Sequence, residues 1–213
     1  MSKSLMISIR PKHLVNILNG NKTLELRKNV PKDFKGWVYL YCTKARQCTK
    51  VSSFIYVCDD ELYKLPNGKI KYGSSVELMS YEGDEYNKNN FLNGKVVARF
   101  WFDETYYIKQ AVNVYGDELN QISIYDNKSY GWKTPKEQQE ILKQLCLTEQ
   151  EVLDYAKGKG ANAWNIKQLE IFDKPKELGE FYKLSVGKVE SAYIQLDKAP
   201  QSWQFVYTKE LEK

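Results

Sequence analysis

Leu5-Met6-Ile7-Ser8-Ile9-Arg10-Pro11-Lys12, carried on through Ile17-Leu18-Asn19-Gly20-Asn21-Lys22-Thr23-Leu24-Glu25-Leu26-Arg27, decides how this chain is read. The first five residues are a short apolar run of the kind that forms a buried strand. Pro11 suits a first helical turn, where a missing N–H is no loss. Leu14, Ile17 and Leu18 supply one apolar face, and Gly20 offers the left-handed residue that ends a helix. A helix over 11–19 and a turn at Gly20-Asn21 follow. Thr23 to Arg27 then alternates polar and apolar, the period of a half-buried strand. Leu24 and Leu26 are expected to point inward, with Thr23, Glu25 and Arg27 together on the opposite face.

Working outward, Pro31 to Gly36 reads as a loop and Trp37 to Cys42 as a strand. From about 43 to 94 the pattern loosens. Phe54 to Val57 is strand-like, Pro66-Asn67-Gly68 is a turn signal, and 81–93 reads as an exposed loop. Val96 to Phe102 is a strong strand. Thr134-Pro135-Lys136-Glu137 and Thr148-Glu149-Gln150-Glu151 both fit the capping box and predict helices at about 135–145 and 149–157, the second closed by Gly158-Lys159-Gly160. Ala163 to Ile166 and Leu169 to Phe172 read as strands, Lys174-Pro175 as a turn, and Pro175 to Leu178 as the opening of a short helical turn. Ala199 to Val206 reads as a turn into a last strand. About seven strands with three or four short helices predict a mixed α+β or barrel protein.

Charge is distributed unevenly. Residues 1–50 hold 11 Lys and Arg against Glu25 and Asp33, whereas the other 163 hold 21 basic and 25 acidic residues. A basic first quarter on a neutral-to-acidic body is the footprint of a polyanion site. The first residues lack a signal-peptide pattern and no apolar run is long enough to span a bilayer, so a cytoplasmic location and no membrane partner are expected. Cys42, Cys48, Cys58 and Cys146 contain no C-x-x-C pair, and His13 is the one histidine, so neither a metal nor another cofactor is expected.

The opening segment, from Ser8-Ile9-Arg10-Pro11-Lys12 to the Gly20-x-Lys22-x-x-Glu25-x-Arg27 run, closely resembles the signature of ASCH (activating signal cointegrator homology) domains. Further matches are Val38 to Thr43, Asn93 to Val97, Ala163 to Ile166, Phe172 to Leu178 and Pro200 to Trp203. The resemblance spans most of the chain outside about 45–92. It implies a small PUA-like β-barrel with short flanking helices, as a single domain over 1–213 with an insertion at about 45–92. It also implies the longer bacterial or phage type of member, and an RNA or RNA-derived nucleotide as partner.

In that reading Arg10, Lys12 and Lys22 supply positive charge for a phosphate, and Arg27 forks onto a phosphate or a base edge. Glu25, between cations, accepts a hydrogen bond rather than acting as a general acid. Trp164 and Trp203 offer stacking faces, Gln201 and Ser202 form a polar rim, and Tyr41, Thr43 and Lys44 line the same mouth, with Thr23 beside Lys22.

Two other classes stay open. Short members of the superfamily include amidohydrolases that remove the acetyl group of acetylcytidine with a Lys, a Thr nucleophile and a Glu. Lys22 matches that Lys, but Glu25 occupies the place of the nucleophilic Thr, and Thr23 matches a different position. Lys22 and Glu25 are then the catalytic candidates, with Asp103 or Glu104 as possible acidic partners. A metal-free ribonuclease would need the same residue types. A protein-interaction module would use the 45–92 insertion, whose acidic Asp59-Asp60-Glu61 and Glu82 to Glu85 could screen the basic face.

Overall fold

The computed structural model describes residues 2–44, 49–55, 62–64, 70–72, 74–80, 92–186 and 191–209. In chain order the elements are β1 (Ser2–Ile9), α1 (Pro11–Leu18), β2 (Leu24–Arg27), β3 (Gly36–Cys42), β4 (Thr49–Ile55), β5 (Leu62–Lys64), β6 (Ile70–Tyr72) and β7 (Ser74–Ser80). Then come β8 (Val96–Phe102), β9 (Thr105–Val112), β10 (Glu118–Asp126), β11 (Gly131–Trp132), α2 (Pro135–Leu145), α3 (Glu149–Ala156), β12 (Ala161–Asn165) and β13 (Lys167–Lys176). A 3-10 turn (Leu178–Glu180), β14 (Tyr182–Val186), β15 (Ser191–Gln195) and β16 (Trp203–Thr208) complete the described chain. It is a mixed α+β protein made mostly of strands.

The chain divides into two compact units. Met1–Gly20, Gly36–Trp101 and Gln168–Lys213 make up unit 1, and Asn21–Lys35 with Phe102–Lys167 make up unit 2. Unit 1 is built on a seven-stranded sheet in the order β13-β8-β3-β1-β16-β14-β15. Its centre is β1, which runs parallel to β3 and antiparallel to β16. Leu5, Met6 and Ile7 are fully buried there, the unalternating burial expected of a strand covered on both faces. One face packs Met6, Tyr39, Tyr41, Val96, Phe181, Leu196 and Val206 into a core. In the 45–92 region β4 pairs with β7 and β5 with β6, both antiparallel.

Unit 2 is a five-stranded sheet, β11-β10-β9-β12-β2. Leu24 and Leu26 of β2, with Ala161, Ala163, Ile108, Ile122 and Ile124, pack against Ile141, Leu142 and Leu145 of α2 and Val152 and Ala156 of α3. Both helices start on the capping boxes the sequence predicts. Glu137 N–H donates to Thr134 Oγ1 and Thr134 N–H to Glu137 Oε2, and the same reciprocal pair joins Thr148 and Glu151. Gly160, at φ +78°, opens β12 where an added Cβ would run into the Tyr107 ring.

Several expectations change. Neither main sheet closes on itself among the described residues, so no closed barrel is seen. Sixteen strands are present among the described residues rather than about seven. The β9–β10 hairpin, turned at Asn113 to Gly116, and the β14–β15 hairpin were not anticipated. Lys174-Pro175 is not a turn but lies within β13, at the edge of its sheet, the place in a sheet that tolerates proline. β2 is not half-buried: all four residues are buried, because the charges on its polar face are satisfied by each other. The expectations at Tyr56-Val57, Asp59-Asp60-Glu61, Pro66-Asn67-Gly68 and 81–91, together with Cys48 and Cys58, lie outside the described residues.

Candidate functional site

The predicted site residues fall into two groups, one in each unit. In unit 2 the turn after Gly20 delivers Lys22 to the end of α2. Thr23 N–H donates to the Gln144 carbonyl at 3.0 Å, and Ile166 N–H donates to the Thr23 carbonyl at 2.9 Å. These bonds hold Lys22 so that its Nζ donates to the Leu145 carbonyl at 2.6 Å. A cation there meets the carbonyl end of the helix and its negative partial charge. Lys22 is only 2% exposed, a cost offset by this bond and by Glu25 Oε2 at 3.5 Å.

Glu25 accepts a second cation. Arg27 Nη2 lies 3.1 Å from Glu25 Oε1, and both residues are 7% exposed. Lys22, Glu25 and Arg27 thus converge on one carboxylate, away from water. Strand pairing sets Glu25 opposite Trp164 and Trp164 opposite Thr105, and it sets Arg27 opposite Asn162 and Asn162 opposite Tyr107. Directly opposed residues share a face, so Trp164 stands beside Glu25 on the face away from the α2–α3 core. Trp164 has no exposed surface and its ring lies 4.8 Å from Phe102, which stacks on Phe34. A base therefore finds no open ring face on Trp164. Its Nε1 donor, however, has no hydrogen-bond partner among the described residues.

Tyr155 of α3 joins this neighbourhood without any sign in the sequence. Burial raises its pKa, with the charge of Arg27 and the Lys28 backbone lowering it and the charge of Glu25 raising it. Asn165, beside Trp164, holds the link between β8 and β9: its Oδ1 accepts from the N–H groups of Asp103 and Glu104, and its Nδ2 donates to Asp103 Oδ1 at 2.5 Å. Burial pushes the Asp103 pKa up, but bonds from Asn165 and Lys167 outweigh it and hold the carboxyl below its usual range. Glu104 pairs with Lys128 at 2.6 Å. Asp103 acts as an ionised anchor here, not as a protonated donor.

In unit 1 the C-terminal end of β1 gathers most of the other candidates. Ser8 pairs with Tyr41, its N–H meets the Ser202 carbonyl at 3.4 Å, and its hydroxyl donates to the Pro200 carbonyl at 2.6 Å. Thr43 N–H donates to the Ile9 carbonyl at 3.0 Å, and Asn93 Nδ2 donates to the Thr43 carbonyl at 3.3 Å. Tyr41 and Lys44 line a cavity of about 430 Å³ with Glu177, Leu196, Asp197 and Lys198 among its walls. Gln201 and Ser202 are exposed on the adjoining turn, and Trp203 is half-buried edge-on to Phe205. Arg10 and Lys12 are exposed, Arg10 as the N-cap of α1, whose side chain makes no capping bond. Burial pushes the Cys42 thiol up to about 12, so it is no nucleophile at neutral pH. Among the described residues no helix is long and apolar enough to cross a membrane.

Comparison of the chain with protein-family models, curated proteins and solved structures finds no match.

Proposed function

We propose that this protein is an ASCH-like, PUA-like binder of RNA or of an RNA-derived nucleotide, cytoplasmic, with Lys22, Glu25 and Arg27 at its recognition centre. One observation carries the reading. Three ionisable side chains spaced along a Gly-x-Lys-x-x-Glu-x-Arg run converge below a tenth exposure, beside a Trp164 Nε1 without an acceptor. A buried ion cluster adds little stability over an apolar one of the same size. A buried donor left unmade costs about 1–3 kcal/mol. A buried donor left unmet in a native fold calls for an explanation, and a bound ligand supplies one. A nucleotide offers an acceptor oxygen for Trp164 Nε1 and an exocyclic amino group for Glu25.

The burial of these side chains favours a nucleoside or one extruded nucleotide over a chain lying in a groove. It also supports a second reading, hydrolysis of a modified nucleoside, because Lys22 Nζ and Glu25 Oε2 are within mutual reach at 3.5 Å. With Glu25 where a Thr nucleophile would stand, that chemistry would be base-assisted attack of water.

Short single-stranded RNA and free nucleosides, acetylcytidine among them, are titrated at several salt concentrations against wild type, Arg27→Lys and Glu25→Gln. Binding that weakens with salt and drops about tenfold or more in Glu25→Gln, with both variants folded, supports the first reading. Acetate release that Glu25→Gln abolishes supports the second. Wild-type protein that binds neither RNA nor nucleosides at low salt overturns both.

A further inference from the structure

We propose that unit 1 carries a separate binding site, the cavity at the end of β3, for a small organic phosphate with a flat ring. The cavity holds about 430 Å³, within the range of small-molecule sites and about the size of a mononucleotide. Its lining combines two chemistries. Leu178, Leu196, Ala199 and the Tyr41 ring are apolar, while Lys44 and Lys198 bring two cations.

The two carboxylates in the lining form their ion pairs with other lysines, and Lys198 acts on Asp197 only as a minor charge. Glu177 is paired with Lys95 at 3.4 Å and Asp197 with Lys183 at 3.4 Å, both lysines that are not among the lining residues. Lys44 and Lys198 have no ion pair among the described residues, so the cavity presents two ammonium groups to an incoming dianion. Lys44 reaches its place because Gly94, at φ +81°, has no side chain. A Cβ there would come within 2.9 Å of Lys44 Cε.

A donor completes the site. Tyr41 is 7% exposed; burial, with the nearby negative charge of Glu177, raises its pKa, so its phenol keeps a proton to donate. Two cations, apolar lining residues and a phenol donor together fit a phosphate monoester carrying a ring with acceptor atoms. A bare anion would leave the apolar lining and the phenol unused.

Calorimetric titrations of the full chain with AMP, adenosine, glucose 6-phosphate and inorganic phosphate test this. AMP is expected to bind at least about tenfold more tightly than adenosine or phosphate alone. The double variant Lys44→Ala/Lys198→Ala is expected to lose about ten- to hundredfold in AMP affinity, and Tyr41→Phe up to about tenfold. Both lysines are exposed, so the double variant keeps its fold, which far-UV circular dichroism checks. No AMP binding at millimolar concentration, or equal binding by the double variant, overturns the site. Glucose 6-phosphate binding as tightly as AMP overturns the flat ring. AMP binding that survives the double variant and is lost in Glu25→Gln moves the ligand to unit 2, which overturns this site and leaves the proposed function standing.

Discussion

The Lys22–Glu25–Arg27 cluster of unit 2 and the Lys44–Lys198 cavity of unit 1 use the same residue types in opposite ways. In the first, each cation meets Glu25 and all three residues are less than a tenth exposed. In the second, the carboxylates are held by other lysines, and Lys44 and Lys198 stay exposed. Coulomb energy is strong where water is excluded and weak where it is not. Breaking the buried cluster should therefore cost the fold heavily, and changing the open one should affect ligand affinity without affecting the fold.

Removing the shared carboxylate breaks the comparison most sharply. Glu25→Ala leaves two cations buried around a lost partner and should cost about 3–5 kcal/mol in urea denaturation. A loss under 1 kcal/mol would mean the cluster is hydrated in solution. Lys22→Met should cost less, about 1–3 kcal/mol, because Glu25 keeps Arg27 while the Leu145 carbonyl loses its donor.

Acid sharpens the contrast at a third place. Burial raises the Asp126 pKa, but bonds from Lys133, the Lys128 N–H and Ser129 outweigh it and bring it down to about 2. A carboxylate depressed on folding contributes stability above its unfolded value near 4, and that contribution fades as pH falls through about 2. Thermal melts between those limits should fall more steeply for wild type than for Asp126→Asn. Parallel slopes would remove Asp126 from the acid response.

The smallest effect is expected at the open pair. Lys44→Ala/Lys198→Ala should leave unfolding free energy within about 0.5 kcal/mol of wild type. A larger loss would show that these lysines already hold an internal partner, and the two clusters would then not differ in kind.

Much of the local structure was legible because its cause is local. Pro11 opens α1, and the Thr134 and Thr148 boxes start α2 and α3 at the residues the pattern names. The convergence of Lys22, Glu25 and Arg27 was half legible. Strand alternation places Glu25 and Arg27 on one face, but nothing near Lys22 announces the Leu145 carbonyl, 123 residues away. Tyr155 gave no sign at all. The β9 and β10 strands were missed because an isolated Tyr106-Tyr107-Ile108 or Ile122-Ser123-Ile124 is too short to separate from a loop until its partner pairs with it.

By itself, then, the sequence determined the cap-driven helices, the buried β1, the basic first quarter and the spacing of the Gly-x-Lys-x-x-Glu-x-Arg run. All of these depend on backbone preferences and side-chain periods that act over a few residues. Only the tertiary structure decided that most of the strands form two open sheets, that β2 is buried on both faces, and that Trp164 lies inside. It alone separated the charges that neutralise one another from those left to a ligand. Burial and ion pairing depend on which distant segments meet, and no local pattern records that.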